Sequence, residues 1–200
     1  MRVYSIAFSL ALAVVSTAAA AAQVPAHATA ALPPRAELAL DYSYLRSNAP
    51  PGGCACFNLN GGSVTFAWPI KPGGSLALVG DITAAHAGSI GTSGYSLTLS
   101  SYTVGVRYRL KMRQSAWQPF GQALVGAAHS SGTLVSGQSP AAANAGAAFA
   151  VNLGGGLDLR LNRNISLRLA EADYLLTTFN NGGNNHQNNL RLSSGIVLRF

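Results

Sequence analysis

The chain has 200 residues, of which 48% are hydrophobic and only 10% charged, and it carries a net charge of +7. A charged fraction far below the ~25% of soluble domains argues against an ordinary water-exposed surface. After the N-terminal segment no apolar run reaches helical membrane length, so a bundle of spanning helices is excluded and the apolar residues must fill a core or face lipid from strands.

Chain order begins with Met1-Arg2, a short positive start, followed by residues 3–22, which are apolar or small and uncharged. Small-x-small steps around Ala18 to Ala22 suit a signal peptidase. Residues 1–22 therefore read as a cleavable signal peptide, with an uncleaved anchor helix as the alternative. No Cys follows until Cys54, which argues against a lipid-anchored N-terminus. Residues 23–35 are rich in Ala and Pro and read as a flexible lead-in; residues 36–200 form the remaining domain.

Eight candidate strands follow. Residues 36–46 put Leu38, Leu40, Tyr42 and Tyr44 on one face, against Glu37, Asp41 and Ser43. Residues 60–68 put Val64, Phe66 and Trp68 opposite Ser63 and Thr65. Residues 75–85 put Leu76, Leu78 and Ile82 opposite Asp81 and Thr83, with Val79 as an apolar exception on the inner face. Residues 95–110 end with Tyr102, Val104, Val106, Tyr108 and Leu110 against Thr103, Arg107 and Arg109. Residues 118–129 alternate least. Residues 147–161 alternate best, with Phe149, Val151, Leu153, Leu157 and Leu159 opposite Asn152, Asp158 and Arg160. Residues 165–179 change parity near Ala170-Glu171, which predicts a β-bulge. The eighth strand spans 190–200.

The connections alternate short (69–74, 111–117, 162–164) and long (48–57, 86–94, 130–146, 180–189), the long ones rich in Gly, Ser, Asn and Pro. Trp68, Tyr108, Trp117, Phe120 and Phe200 fall near the short-turn ends. Tyr44, Phe57, Tyr95, Phe149 and Phe179 fall near the long-loop ends. Two aromatic girdles are the pattern of a barrel crossing a bilayer, with short turns on the periplasmic side.

The terminal segment, Ser193 to Phe200, alternates Ile196, Leu198 and Phe200 with Gly195, Val197 and Arg199. It resembles the C-terminal sorting signal of bacterial outer-membrane barrels, with Ser193, Gly195, Leu198 and Phe200 on the four signal positions. An ordinary last strand of a soluble sandwich is the plain alternative. Over residues 36–200 the chain resembles the small OmpA/OmpX-like outer-membrane β-barrel family. That resemblance implies an all-β, closed, eight-stranded antiparallel barrel in the bacterial outer membrane. A peptidoglycan-binding domain is not expected, because the sequence stops at Phe200.

All six acids, Glu37, Asp41, Asp81, Asp158, Glu171 and Asp173, fall in predicted strands. Glu37, Asp41, Asp81 and Asp158 share the inward parity with Arg107, Arg109, Arg160, Arg168, Arg191 and Arg199. The bulge leaves open whether Glu171 or Asp173 points inward; Asp173 is favoured because Tyr174 and Leu176 then face lipid. An eight-stranded barrel is just wide enough for its side chains to fill. These charges are therefore expected to pair across the lumen and block it; a cationic constriction that passes anions is the rival. Lys71, Lys111, Arg113 and Arg163 sit in the short turns, facing inner-leaflet headgroups, and the long loops contain no Asp, Glu, Lys or Arg. Nucleic-acid binding is discarded, since no basic cluster with interleaved aromatics exists.

Cys54-Ala55-Cys56 lies in the first long loop and reads as a strained disulfide or a pair of exposed thiols that the fold does not need; two cysteines are too few to claim a metal. His129 and Ser131 share a strand face. The pair is similar to the His-x-Ser of outer-membrane lipid A deacylases, but Gly132 stands where that pattern has Asn, and no acid lies near to orient the imidazole. The run 180–189 is low-complexity and polar, a solvated hairpin tip or a contact for surface sugars. The expectation is therefore a monomeric structural or interaction barrel serving membrane integrity, surface contact or adhesion. No catalytic residue, metal or cofactor is called for. The expected partners are outer-membrane lipid, the barrel assembly machinery and an unidentified surface ligand. A narrow pore and a lipid A-modifying enzyme are the alternatives.

Overall fold

The computed structural model describes residues 36–49, 55–70, 75–90, 95–110, 112, 115–132, 147–179 and 185–200. The expected signal peptide and lead-in, Cys54, Tyr95's side chain, the turn cations Lys71, Lys111 and Arg113, and most of the long loops lie outside them.

Eight strands close into one antiparallel barrel: β1 (Glu37–Ala49), β2 (Ala55–Pro69), β3 (Leu76–Ile90), β4 (Tyr95–Arg109), β5 (Trp117–Ser131), β6 (Ala147–Arg160), β7 (Ile165–Thr177) and β8 (Gln187–Arg199). Each strand pairs with its sequence neighbours. The last seam joins β8 to β1, with Leu40 opposite Ile196 and two backbone bonds between Ala36 and Phe200 of 2.9 and 3.1 Å. Closure leaves no unpaired edge, the condition for strands in hydrocarbon. One short turn is held by Asn162, whose Oδ1 accepts from the backbone N–H groups of Asn164 and Ile165 at 2.8 and 2.7 Å.

The alternation reads out as expected. Leu40, Tyr42, Val64, Phe66, Ile82, Tyr102, Val104, Val106, Leu153 and Ile196 are all exposed on the outer surface, while Asp41, Ser43, Thr65, Asp81 and Thr103 are buried on the inner one. Val79 is fully buried inside. A soluble protein would not present a continuous ring of large exposed hydrophobics of this extent, so the belt is a lipid-facing surface.

Five strands, β1, β2, β3, β5 and β8, run further toward the long loops than the pattern predicts, while β7 stops at Thr177 rather than 179. Spans of 13 to 15 residues exceed the ~9–11 a tilted strand needs to cross a bilayer. β2 begins at Ala55 rather than near 60, and β3 continues to Ile90 rather than 85. Gly-, Ser- and Asn-rich segments carry no hydropathy alternation, yet the hairpin ladder continues through them, as in Ala49 opposite Ala55.

The bulge in β7 sits where the parity breaks. Arg168 lies opposite Gly195 and Glu171 opposite Ser193, so three steps on β7 match two on β8, and Leu169 and Ala170 both face out. The Ser194 hydroxyl donates to the Arg168 carbonyl at 3.0 Å, satisfying a backbone group at the interrupted ladder.

Candidate functional site: the lumen

Inward-facing residues form stacked layers along the barrel axis. At the short-turn mouth, Arg109 donates twice to Glu37, at 2.6 and 2.7 Å, from β4 to β1. Arg199 donates to the same carboxylate at 2.9 Å and also to Gln118. A bidentate guanidinium–carboxylate pair is among the strongest polar contacts a protein makes.

Above the mouth sits Arg168, fully buried. Its Nε donates to Asp158 at 3.0 Å and its Nη1 to Asp41 at 2.9 Å, with Glu171 2.8 Å away. The Phe120 ring lies beneath two guanidiniums, Arg107 at 4.3 Å and Arg168 at 4.9 Å from its centroid. Stacking there lets two like charges approach a common centre, because the ring face is negative. Arg107 donates to Gln122 through both Nε and Nη2, at 3.0 and 2.6 Å.

The next layer centres on Arg191. It reaches across from β8 to Asp81 on β3 at 2.7 Å and to the Thr83 hydroxyl, and it bonds Asp173 at 2.6 Å and Glu171 at 3.0 Å. Gln122 donates to both of those carboxylates at 3.1 Å, and Thr65 donates to Asp81 at 2.9 Å. Ser43 then links Ser63 and Ser193 at 3.0 and 2.9 Å. Toward the long-loop end the interior turns apolar: Leu45, Leu59, Ile90, Leu97, Leu99 and Leu175 pack together, with Phe57 and Phe179 against them.

Several expectations change here. Arg160 keeps the inward parity but is exposed at the strand's end, outside the ion pairs; alternation specifies a face, not a depth. Glu171 and Asp173 both point inward, because the extra residue precedes both of them. Glu37 and Arg199, carried only as inward residues, are full members of the mouth cluster. Phe120, Phe57 and Phe179 leave the girdles: Phe120 is buried inside, and the other two pack on the inner apolar cluster. Trp68, Tyr108, Trp117, Phe149 and Phe200 do face outward. Phe120 and Gln122 are central inward residues that alternation alone does not reveal, since small residues alternate with them on the outward face of β5.

Cys56 lies in β2 opposite Asn48 rather than in a free loop. His129 and Ser131 share the outer surface, where both are exposed, while every Asp and Glu of the chain is turned into the lumen. No carboxylate can therefore orient that imidazole. Among the described residues no cluster of metal-ligating side chains forms.

No family model and no curated protein matches this sequence. Solved structures do. Neisserial surface protein A (NspA) superposes with a TM-score of 0.61 at 16% identity, over 82% of this chain and 97% of its own. OprG from Pseudomonas aeruginosa gives 0.54 at 10% identity, over 84% and 96%. Ail, the attachment invasion locus protein of Yersinia pestis, gives 0.51 at 17% identity, over 83% and 99%. The fold is that of the small eight-stranded outer-membrane barrels. These neighbours establish the architecture alone.

Proposed function

We propose that the protein is a monomeric outer-membrane barrel with a closed lumen, serving membrane integrity and surface contact through its long, uncharged loops rather than transport or catalysis. The short turns face the periplasm. One observation carries the reading: the Arg107–Phe120–Arg168 stack and the Arg191 layer next to it reach across the lumen, tying β7 to Asp41 on β1 and β8 to Asp81 on β3. Such a section leaves paired, desolvated charges rather than a hydrated path. Purified protein in planar bilayers should therefore show no steady porin-like conductance at neutral pH; sustained open channels of that size would overturn the closed lumen.

Export fits the same reading. Residues 1–22 serve as a signal peptide cleaved near Ala20 to Ala22, and Ser193, Gly195, Leu198 and Phe200 act as the assembly signal read by the barrel assembly machinery. Phe200 is 63% exposed at the rim, with its backbone tied to Ala36. Deleting Phe200, or replacing it with Asp, should sharply reduce the heat-modifiable barrel recovered from outer membranes. Undiminished assembly of both variants would remove Phe200 from the signal.

A further inference from the structure

We propose that the long-loop rim of the barrel carries a pH-dependent surface for phosphate-bearing lipid headgroups, centred on His86 and His129. The inference rests on reading the belt as lipid-facing. Where the apolar exterior of β3, β4 and β5 ends, just beyond Tyr102, the outward side chains become polar. Two adjacent rows form there. Asn60, His86, Thr98 and Ser131 lie opposite one another across β2 to β5, and Ala84, Ser100 and His129 form the next row toward lipid. Cross-strand neighbours lie ~5 Å apart and same-face neighbours along a strand ~7 Å apart, so two imidazoles and three hydroxyls share one patch at headgroup depth.

The His86 Nδ1 is 2.9 Å from the Thr98 hydroxyl, which fixes the ring. Its Nε2 lies over Gly88, where even an added Cβ would stay 3.7 Å away, so no side chain of that residue covers it. The charge balance decides the partner. All six Asp and Glu residues are committed to the lumen, so no acidic side chain on the exterior competes for an imidazolium. Among the described residues, His86 is faced by Asn60 from β2 and Thr98 from β4; His129 is faced by Ser100 from β4 and Ala147 from β6. None of these is charged. Arg46, exposed on β1 opposite Asn58, adds a cation at the same rim.

Histidine titrates between about pH 5 and 8. A bound phosphate favours the protonated ring, so binding tightens as pH falls and weakens as pH rises. Spin-labelled lipids in phosphatidylcholine vesicles holding the full barrel test this by electron paramagnetic resonance. Phosphatidylglycerol is the probe, because its charge is constant over this range. Its association relative to phosphatidylcholine should rise roughly five-fold per imidazole between pH 8 and 5.5, the effect of one added cation near an anionic lipid surface. The His86→Gln/His129→Gln variant should lose that rise, and His186→Gln should keep most of it. A full rise in the double variant, or none in the wild type, overturns the proposal. A wild type that immobilises no phosphatidylcholine at any pH would instead overturn the lipid-facing belt itself.

Discussion

Replacing Arg168 with alanine should lower the unfolding free energy of the barrel by about 3–5 kcal/mol, the cost of leaving buried partner charges uncompensated. Arg168 has no solvent exposure and holds Asp41, Asp158 and Glu171 within 3.0 Å. Truncation leaves three carboxylates facing one another around a void over Phe120. Arg168→Met separates the two contributions: it restores most of the volume but not the charge, so it should recover only the packing part. Arg163→Ala, in the exposed β6–β7 turn, should stay within ~0.5 kcal/mol of the native protein, as ordinary surface substitutions do. Urea unfolding in lipid vesicles, followed by the fluorescence of lipid-facing Trp68 and Trp117, reports all three. Equal midpoints for Arg168→Ala and Arg163→Ala would mean that the charged layers contribute nothing to holding the barrel together.

The closed barrel was legible in the sequence because side-chain alternation has a fixed period of two. Once Leu40, Ile82, Val104, Leu153 and Ile196 are assigned to lipid, Asp41, Asp81, Arg107 and Asp158 can only point inward. The bulge was legible for the same reason, as a break in that period near Ala170. What parity cannot supply is height and partner. Arg160 and Asp158 carry identical parity, yet one is exposed at the rim and the other is completely buried. Phe120's distance from a turn suggests a girdle position, although its even position matches inward Gln118, Gln122 and Leu124. Its outward neighbours Pro119, Gly121 and Ala123 are too small to mark β5 as amphipathic, so the hydropathy pattern gave no signal. The lumen's organising contact, two guanidiniums on one ring, depends on register between β4, β5 and β7, and no single strand encodes it.

Gly195→Ala should be strongly disruptive for a single added methyl, and the reason lies in the closing seam. Gly195 sits between Asp41 on β1 and Arg168 on β7. A Cβ there would lie 2.1 Å from the Leu40 carbonyl oxygen, 2.5 Å from Asp41 Oδ1 and 2.6 Å from the Asp41 Cα. Two of those three atoms are backbone and cannot rotate away, so relief requires β8 to move off β1 or Asp41 to leave Arg168. Overpacking a rigid site typically costs ~1–3 kcal/mol, and here the displaced carboxylate adds to it. Gly80→Ala is the matched control, since nothing lies within 4 Å of its added Cβ; a glycine-to-alanine change of that kind stabilises by about 0.4–1 kcal/mol at most. The comparison also separates two roles for this glycine. If it serves only as a letter of the assembly signal, purified Gly195→Ala chains refolding into detergent without machinery should match the wild type in yield and unfolding midpoint. The contacts at the seam predict the opposite: slow or incomplete appearance of the heat-modifiable form and a lowered midpoint even in detergent, with Gly80→Ala unaffected.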